Sequence, residues 1–308
     1  LDMLLDSTPP KANAVEVSMV DTTMQVIVTM SEAVADNAAL TGSALNVNIA
    51  GVDRLATYVA PVVGDALTSD PSANRLVYQL TNVTGADLAQ GLSMGRIVTA
   101  QGTVIEDGAG NDLAAVDINH LISKIHVDAG ESLTFNGGFS GTGNFVKTGA
   151  GELVLFGNNL HTGRTLIEGG TLTVNSDLRL GPTTNTGADR IVISNGATLK
   201  ITETLTLTTG RGIEVNGTGR IEVAAGAVAT YGGVIRGAEA SSGLTKTGAG
   251  ELVLSGVSTF TGPVFVDDGR LKLSAATRLV ASTAMTVGAS GVLDMTASAQ
   301  TFGALAGA

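Results

Sequence analysis

The sequence has no cysteine and no tryptophan, and aromatic residues make up only 3% of its 308 positions. Without cysteine there is no disulfide framework and no thiolate metal site. The three histidines, His120, His126 and His161, show no H-E-x-x-H or paired spacing, which argues against zinc. Charge is sparse and one-sided, with 17 basic against 28 acidic residues and a net charge of −11. With no basic stripe to meet a phosphate backbone, nucleic acid is excluded as a partner. No apolar run approaches the roughly 18 residues that a membrane-spanning helix needs, so no transmembrane segment is expected. Leu1–Leu5 is too short for a signal peptide and lacks a basic flank, so an export signal would lie outside this sequence.

What is present is glycine and aliphatic residues: 41 glycines, with 44% of positions hydrophobic. This content is too apolar for disorder. The glycines have no three-residue period, which excludes collagen. A segment also appears twice. Val146–Leu155 reads VKTGAGELVL and Thr245–Leu254 reads TKTGAGELVL, with Lys147 and Lys246 99 residues apart. The likeness continues through Phe156–Val174 and Ser255–Leu273, with glycines at Gly157/Gly256, Gly163/Gly262 and Gly170/Gly269. Such a unit cannot bury its own apolar face and must stack on neighbours.

Two patterns divide the chain. Residues 1–10, with the Pro9–Pro10 pair, read as a linker or the tail of a preceding module. Residues 11–119 carry about seven short strands: Val15–Val17, Met24–Met30, Leu45–Ile49, Ala56–Val59, Leu76–Leu80, Arg96–Ala100, Thr103–Ile105 and a last one near Leu113–Val116. That spacing suggests a Greek-key β-sandwich, with one helical turn at Ala86–Gln90. Residues 120–308 carry strands of three to five residues bounded by Gly, Asn or Asp, with apolar pairs at every second position, such as Leu153/Leu155, Leu172/Val174 and Leu252/Leu254. Stacked coils would align these as aliphatic ladders inside a parallel β-helix. A conventional antiparallel sandwich or barrel stays open as the alternative.

Residues 129–308 resemble the passenger-associated repeats of bacterial autotransporters, through Leu244–Gly256, Thr259–Leu273 and Ala299–Ala308. The resemblance implies a right-handed parallel β-helix and display at the bacterial cell surface or outside the cell. Residues 11–119 resemble a bacterial Ig-like domain, through Met30–Val34, Ile105–Ala114 and the Thr8-Pro9-Pro10 entry. The pattern stops within a repeat and no C-terminal membrane barrel follows, so a fragment of a larger secreted protein is expected.

Few residues suggest chemistry. Lys147-Thr148-Gly149 and Lys246-Thr247-Gly248 copy the K-T-G box of penicillin-recognising enzymes. With no S-x-x-K partner, and with the box recurring in the repeat, they read as structural. Ser140 lacks the second glycine of a nucleophile elbow. Glu168 and the Asp267-Asp268 pair occupy neighbouring repeat positions that could share one side, as a polysaccharide-cleaving β-helix would need, but several coils apart they read as solvated turn charges. Asn82 and Asn216 head formal glycosylation sequons that chance explains. The remaining candidate is Asp107–Asp112, DGAGND, in which Asp107, Asn111 and Asp112 are expected to be able to ligate calcium; these residues are equally common turn formers.

The expectation is therefore a non-enzymatic, extracellular structural or adhesive protein with no cofactor other than calcium. Its partners would be other modules, copies of itself through solenoid ends and loops, or surface proteins and glycans. One alternative is a self-assembling surface-layer, sheath or filament subunit. Another is a glycan-binding or glycan-cleaving β-helix, which would want an aromatic groove, although Tyr58, Tyr78 and Tyr231 are the only tyrosines.

Overall fold

The computed structural model describes residues 11–20, 23–31, 33–34, 43–49, 52–60, 69, 75–84, 87, 92–98, 122–274, 279–280, 283–295 and 299–307. The chain separates into two compact units, residues 1–128 with 132–140, and residues 129–131 with 141–308. Both are built from β-strands.

The first unit contains β1 (Ala12–Val20), β2 (Thr23–Met30), β3 (Ala44–Ile49), β4 (Val52–Tyr58), β5 (Arg75–Leu80), β6 (Leu92–Val98), β7 (Ile122–Val127) and β8 (Ser132–Phe135). β2 pairs antiparallel with β1 and β5, while β7 lies parallel to β1. β3 pairs antiparallel with β4 and β6. β4 meets β5 only through Thr57 and Tyr58. Alternation decides the faces: Met24, Val26, Val28 and Met30 are buried, with Ile27 and Thr29 turned partly outward. Tyr58 and Tyr78 pack edge to face with centroids 5.8 Å apart, and the Tyr78 hydroxyl meets Ser43 Oγ at 3.0 Å. β6 begins earlier than its residue pattern suggested. The strands expected at Thr103–Ile105 and Leu113–Val116 lie outside the described residues.

The second unit holds β9 (Phe145–Thr148), β10 (Glu152–Leu155), β11 (Thr165–Ile167), β12 (Thr171–Val174), β13 (Gly187–Ile193), β14 (Thr198–Ile201), β15 (Leu205–Leu207), β16 (Arg211–Val215), β17 (Thr218–Val223), β18 (Val228–Tyr231), β19 (Ile235–Gly237), β20 (Gly243–Thr247), β21 (Glu251–Leu254), β22 (Val264–Leu273), β23 (Ala284–Asp294) and β24 (Ala304–Gly307). All their register pairings are parallel, each strand lying on the one a coil earlier, which makes a β-solenoid. The expected antiparallel alternative is thereby set aside for these residues.

Three columns of strands form its faces. The first stacks β9, β11, β13, β16 and β19. The second stacks β10, β12, β14, β17, β20, β22, β23 and β24, giving eight coils. The third stacks β15, β18, β21 and the later halves of β22 and β23. Coil length along the second column runs from 19 residues (Glu152 to Thr171) to 27 (Thr171 to Thr198).

Inward positions form ladders. Leu153, Leu172, Leu199 and Ile221 stack in register, as do Ile167, Ile193 and Val215. All seven side chains are buried. Each buried aliphatic contributes about 1.5–3 kcal/mol of transfer free energy, and the ladders, with the hydrogen bonds between coils, hold the tube together. The outer faces carry charges paired across coils. Lys200 Nζ lies 3.5 Å from both Glu152 and Glu222. Arg236 pairs with Asp189 and Glu214, and Arg270 with Glu251 and Asp294.

Candidate functional site: lysine corners and a buried polar coil

Period two places Lys147 on the same inner face as Phe145, and Lys246 with Leu244. Both lysines are fully buried. Lys147 heads a ladder otherwise formed by Ile167, Ile193 and Val215. Lys246 interrupts one, between Ile221 and Val266. Their stems pack as hydrocarbon while the ammonium groups reach the adjacent corner.

At that corner three carbonyls converge on each ammonium. Lys147 Nζ donates to Thr148 O at 2.7 Å, Gly149 O at 2.9 Å and Gly169 O at 3.2 Å. Lys246 Nζ donates to Thr247 O at 2.7 Å, Gly248 O at 2.6 Å and Asp268 O at 3.1 Å. Three N–H donors thus meet three acceptors. Two acceptors belong to the lysine's own turn and the third to the coil stacked on it, so each lysine pins two successive corners. Gly149 and Gly248 have φ of 76° and 72°, and Gly170 and Gly269 in the overlying turn 60° and 66°. A Cβ on Gly170 or Gly269 would run into backbone carbonyls of the turn below. Burial pulls both lysines down to about 8, while the carbonyl cage suits the charged form. The arrangement fastens backbone and leaves no exposed amine for chemistry.

A second polar assembly lies in the 27-residue coil, where Asp177–Leu180 forms a 3-10 turn. Arg211 of β16, 1% exposed, donates to the Leu180 carbonyl, to Gly181 O at 3.1 Å and Pro182 O at 3.3 Å, and faces Asp177 Oδ2 at 3.4 Å. Thr208 donates to the same carboxylate oxygen at 2.5 Å. Asn185 donates to Gly163 O at 2.8 Å, and Asn159 to Arg179 O at 2.5 Å. The Tyr231 hydroxyl lies 2.8 Å from Arg211 O, and burial raises its pKa. These side chains replace the ladder bonds that an irregular loop lacks. His161 Nε2 meets Thr165 Oγ1 at 2.9 Å. Burial, then the Arg211 charge, pushes His161 down to about 4.

The structure disperses the other residues singled out from sequence. Asp107, Asn111, Asp112 and His120 lie outside the described residues. His126, in the first unit, meets Asp128 at 2.9 Å, whereas His161 is a core group of the second. Glu168 follows the first column and Asp267 the second, so they occupy different corners and are not brought together. Among the described residues no three His, Asp or Glu side chains are placed to hold a metal, and no helix is long and apolar enough to cross a membrane. Arg211, Asp177 and Asn185 were not singled out from sequence. The lysine cage had one signal, a lysine at an inward parity position followed by Thr-Gly.

The passenger-associated-transport-repeat family matches residues 145–174 and 244–273. The chain is 36% identical over 138 residues, 44% of its length, to the adhesin BmaC autotransporter of Brucella suis biovar 1. It is 30% identical over 179 residues, 53% of its length, to the probable autotransporter YfaL of Escherichia coli K12. It is 45% identical over 51 residues, 15% of its length, to the autotransporter lipoprotein NalP of Neisseria meningitidis. The matched regions span 4%, 14% and 5% of those relatives. No solved structure matches significantly. Repeat, solenoid and relatives agree: this chain carries the passenger-associated transport repeats of autotransporter passengers, proteins secreted from the cell or exposed at its surface.

Proposed function

We propose that the chain is a non-enzymatic stalk and adhesive segment of an exported passenger, its solenoid carrying the first unit as a contact module. The observation that carries this reading is the run of eight stacked coils, two of whose corners are fastened from inside by Lys147 and Lys246. A column of this kind transmits load along its axis and leaves turns and loops free for contacts. The antiparallel pairing of β2 with β1 and β5 and of β3 with β4 and β6 supports the Ig-like reading of residues 11–119. The adhesin named among the relatives supports an adhesive role. Calcium at Asp107, Asn111 and Asp112 belongs to this reading as a stiffening ion, and a melting temperature unmoved by millimolar calcium or EDTA would remove it.

Electron microscopy of the purified chain, with binding of labelled protein to a panel of cells and surface matrices, tests the reading. Isolated rods that adhere support it. Ordered arrays or fibres would instead favour an assembling subunit, and cleavage of a glycan panel would favour an enzyme.

A further inference from the structure

Among the buried positions at which the two copies differ, His161 stands where the second copy has Phe260, the two being 3% and 1% exposed. The neutral imidazole fits this apolar position. It packs against Phe145, with centroids 6.0 Å apart, and bonds to Thr165. The charged groups that face it come from three elements. Arg211 of β16 approaches over Gly181, and Arg211 Nη1 and His161 Cε1 would both lie 3.5 Å from a Cβ placed there. Arg190 of β13 donates to the carbonyl of the adjacent Thr162 at 3.3 Å. Asp177 of the 3-10 turn is engaged by Arg211 and Thr208. Arg179 of that turn instead binds Asn158 and Asn175. A proton on His161 therefore places an imidazolium in an apolar wall beside a buried guanidinium.

We propose that His161 is an acid-sensitive joint: its protonation opens the coil from Phe156 to Gly187 while the corresponding coil of the second copy, closed on Phe260, stays shut. The group holding the coil closed is Arg211, whose hydrogen bonds to the carbonyls of Leu180, Gly181 and Pro182 tie the loop to β16. Displacing the ring toward water removes the group that shares the surface of Gly181 with that guanidinium. The sign follows from linkage. The closed coil disfavours the proton, with His161 near 4, whereas the open coil titrates near the ordinary 6.5. Closure is therefore fully stable above the ordinary value and is lost as pH falls from there toward 4. Across that window the open population rises by up to about a hundredfold.

Hydrogen exchange of the full chain at pH 7 and pH 4.5, corrected for intrinsic exchange rates, tests this. In the wild type, residues 156–187 are expected to gain tens of fold in opening, and residues 255–274 only a few fold. In His161→Gln and His161→Phe both segments should respond alike, with glutamine carrying the test if phenylalanine prevents folding. Equal acid opening of residues 156–187 in wild type and His161→Gln overturns the proposal. The wild type alone supplies a second reading: an NMR titration of the His161 Cε1 proton with a midpoint near 6.5 overturns it, and one below about 5 supports it.

Discussion

The strings at Val146–Leu155 and Thr245–Leu254 are nearly identical, yet they occupy different faces of the solenoid. In the first copy the K-T-G turn joins β9 of the first column to β10 of the second. In the second copy it joins β20 of the second column to β21 of the third. The hydrogen bonds are nonetheless the same, down to the third acceptor from the overlying coil. The repeat therefore encodes a corner and not a face. What travels with the motif is a left-handed glycine, an inward lysine and an overlying turn that ends in glycine. What does not travel is the ring at 161 and 260, or the acceptor residue itself, Gly169 in one copy and Asp268 in the other.

The comparison breaks first at the overlying turn. Gly170→Ala and Gly269→Ala each force a side chain into the left-handed region and against backbone carbonyls. Strain and overpacking together should cost about 4 kcal/mol, read as a fall in the urea midpoint of the full chain, and equally in the two copies if the corners are equivalent. Lys147→Met and Lys246→Met keep the packed stem and leave three carbonyls without their donor. A loss of about 2 kcal/mol is expected from each, with exchange protection lost at residues 147–149 and 168–170, or 246–248 and 267–269. A large loss in one copy alone would show that the corners are not interchangeable.

A pH series sharpens the same point. Burial holds both lysines near 8, below the ordinary 10.5, so the unfolded chain binds more protons between those values. Stability should accordingly rise from pH 8 to pH 10 in the wild type, and rise less in the double methionine variant. A wild-type midpoint that rises across this interval no more than the variant's would refute the buried ammonium as the titrating group. The smallest effect belongs to the outer faces. Arg270→Ala removes half-exposed pairs to Glu251 and Asp294 and should cost less than about 1 kcal/mol, with coil-resolved exchange unchanged elsewhere.

Much of the solenoid was legible in residue order. Glu152–Leu155, Thr171–Val174, Thr198–Ile201 and Glu251–Leu254 are strands with their alternate residues buried, because period two and flanking glycines are local signals. The K-T-G strings read as repeat positions, and their lysines lie in the core. The columns were not legible. The 99 residues between the lysines do not reveal that intervening coils vary in length, which moves the second copy to another face. Nor was the polar coil: Arg211 and Asp177 are 34 residues apart, and nothing near either announces the other. The site residues Asp107, Asn111 and Asp112 lie outside the described residues and rest on their sequence alone.

Sequence by itself determined that the second unit is made of short alternating strands with sharp glycine corners, because both follow from steric limits on neighbouring residues. It also marked Lys147 and Lys246 as repeat positions rather than catalytic groups, because the same K-T-G string recurs without an S-x-x-K partner. Tertiary structure alone decided which carbonyls receive each ammonium, which column each repeat joins, and that His161 faces Arg211. Those outcomes depend on what the preceding and following coils place at the same height, and stacking order is a property of the whole tube.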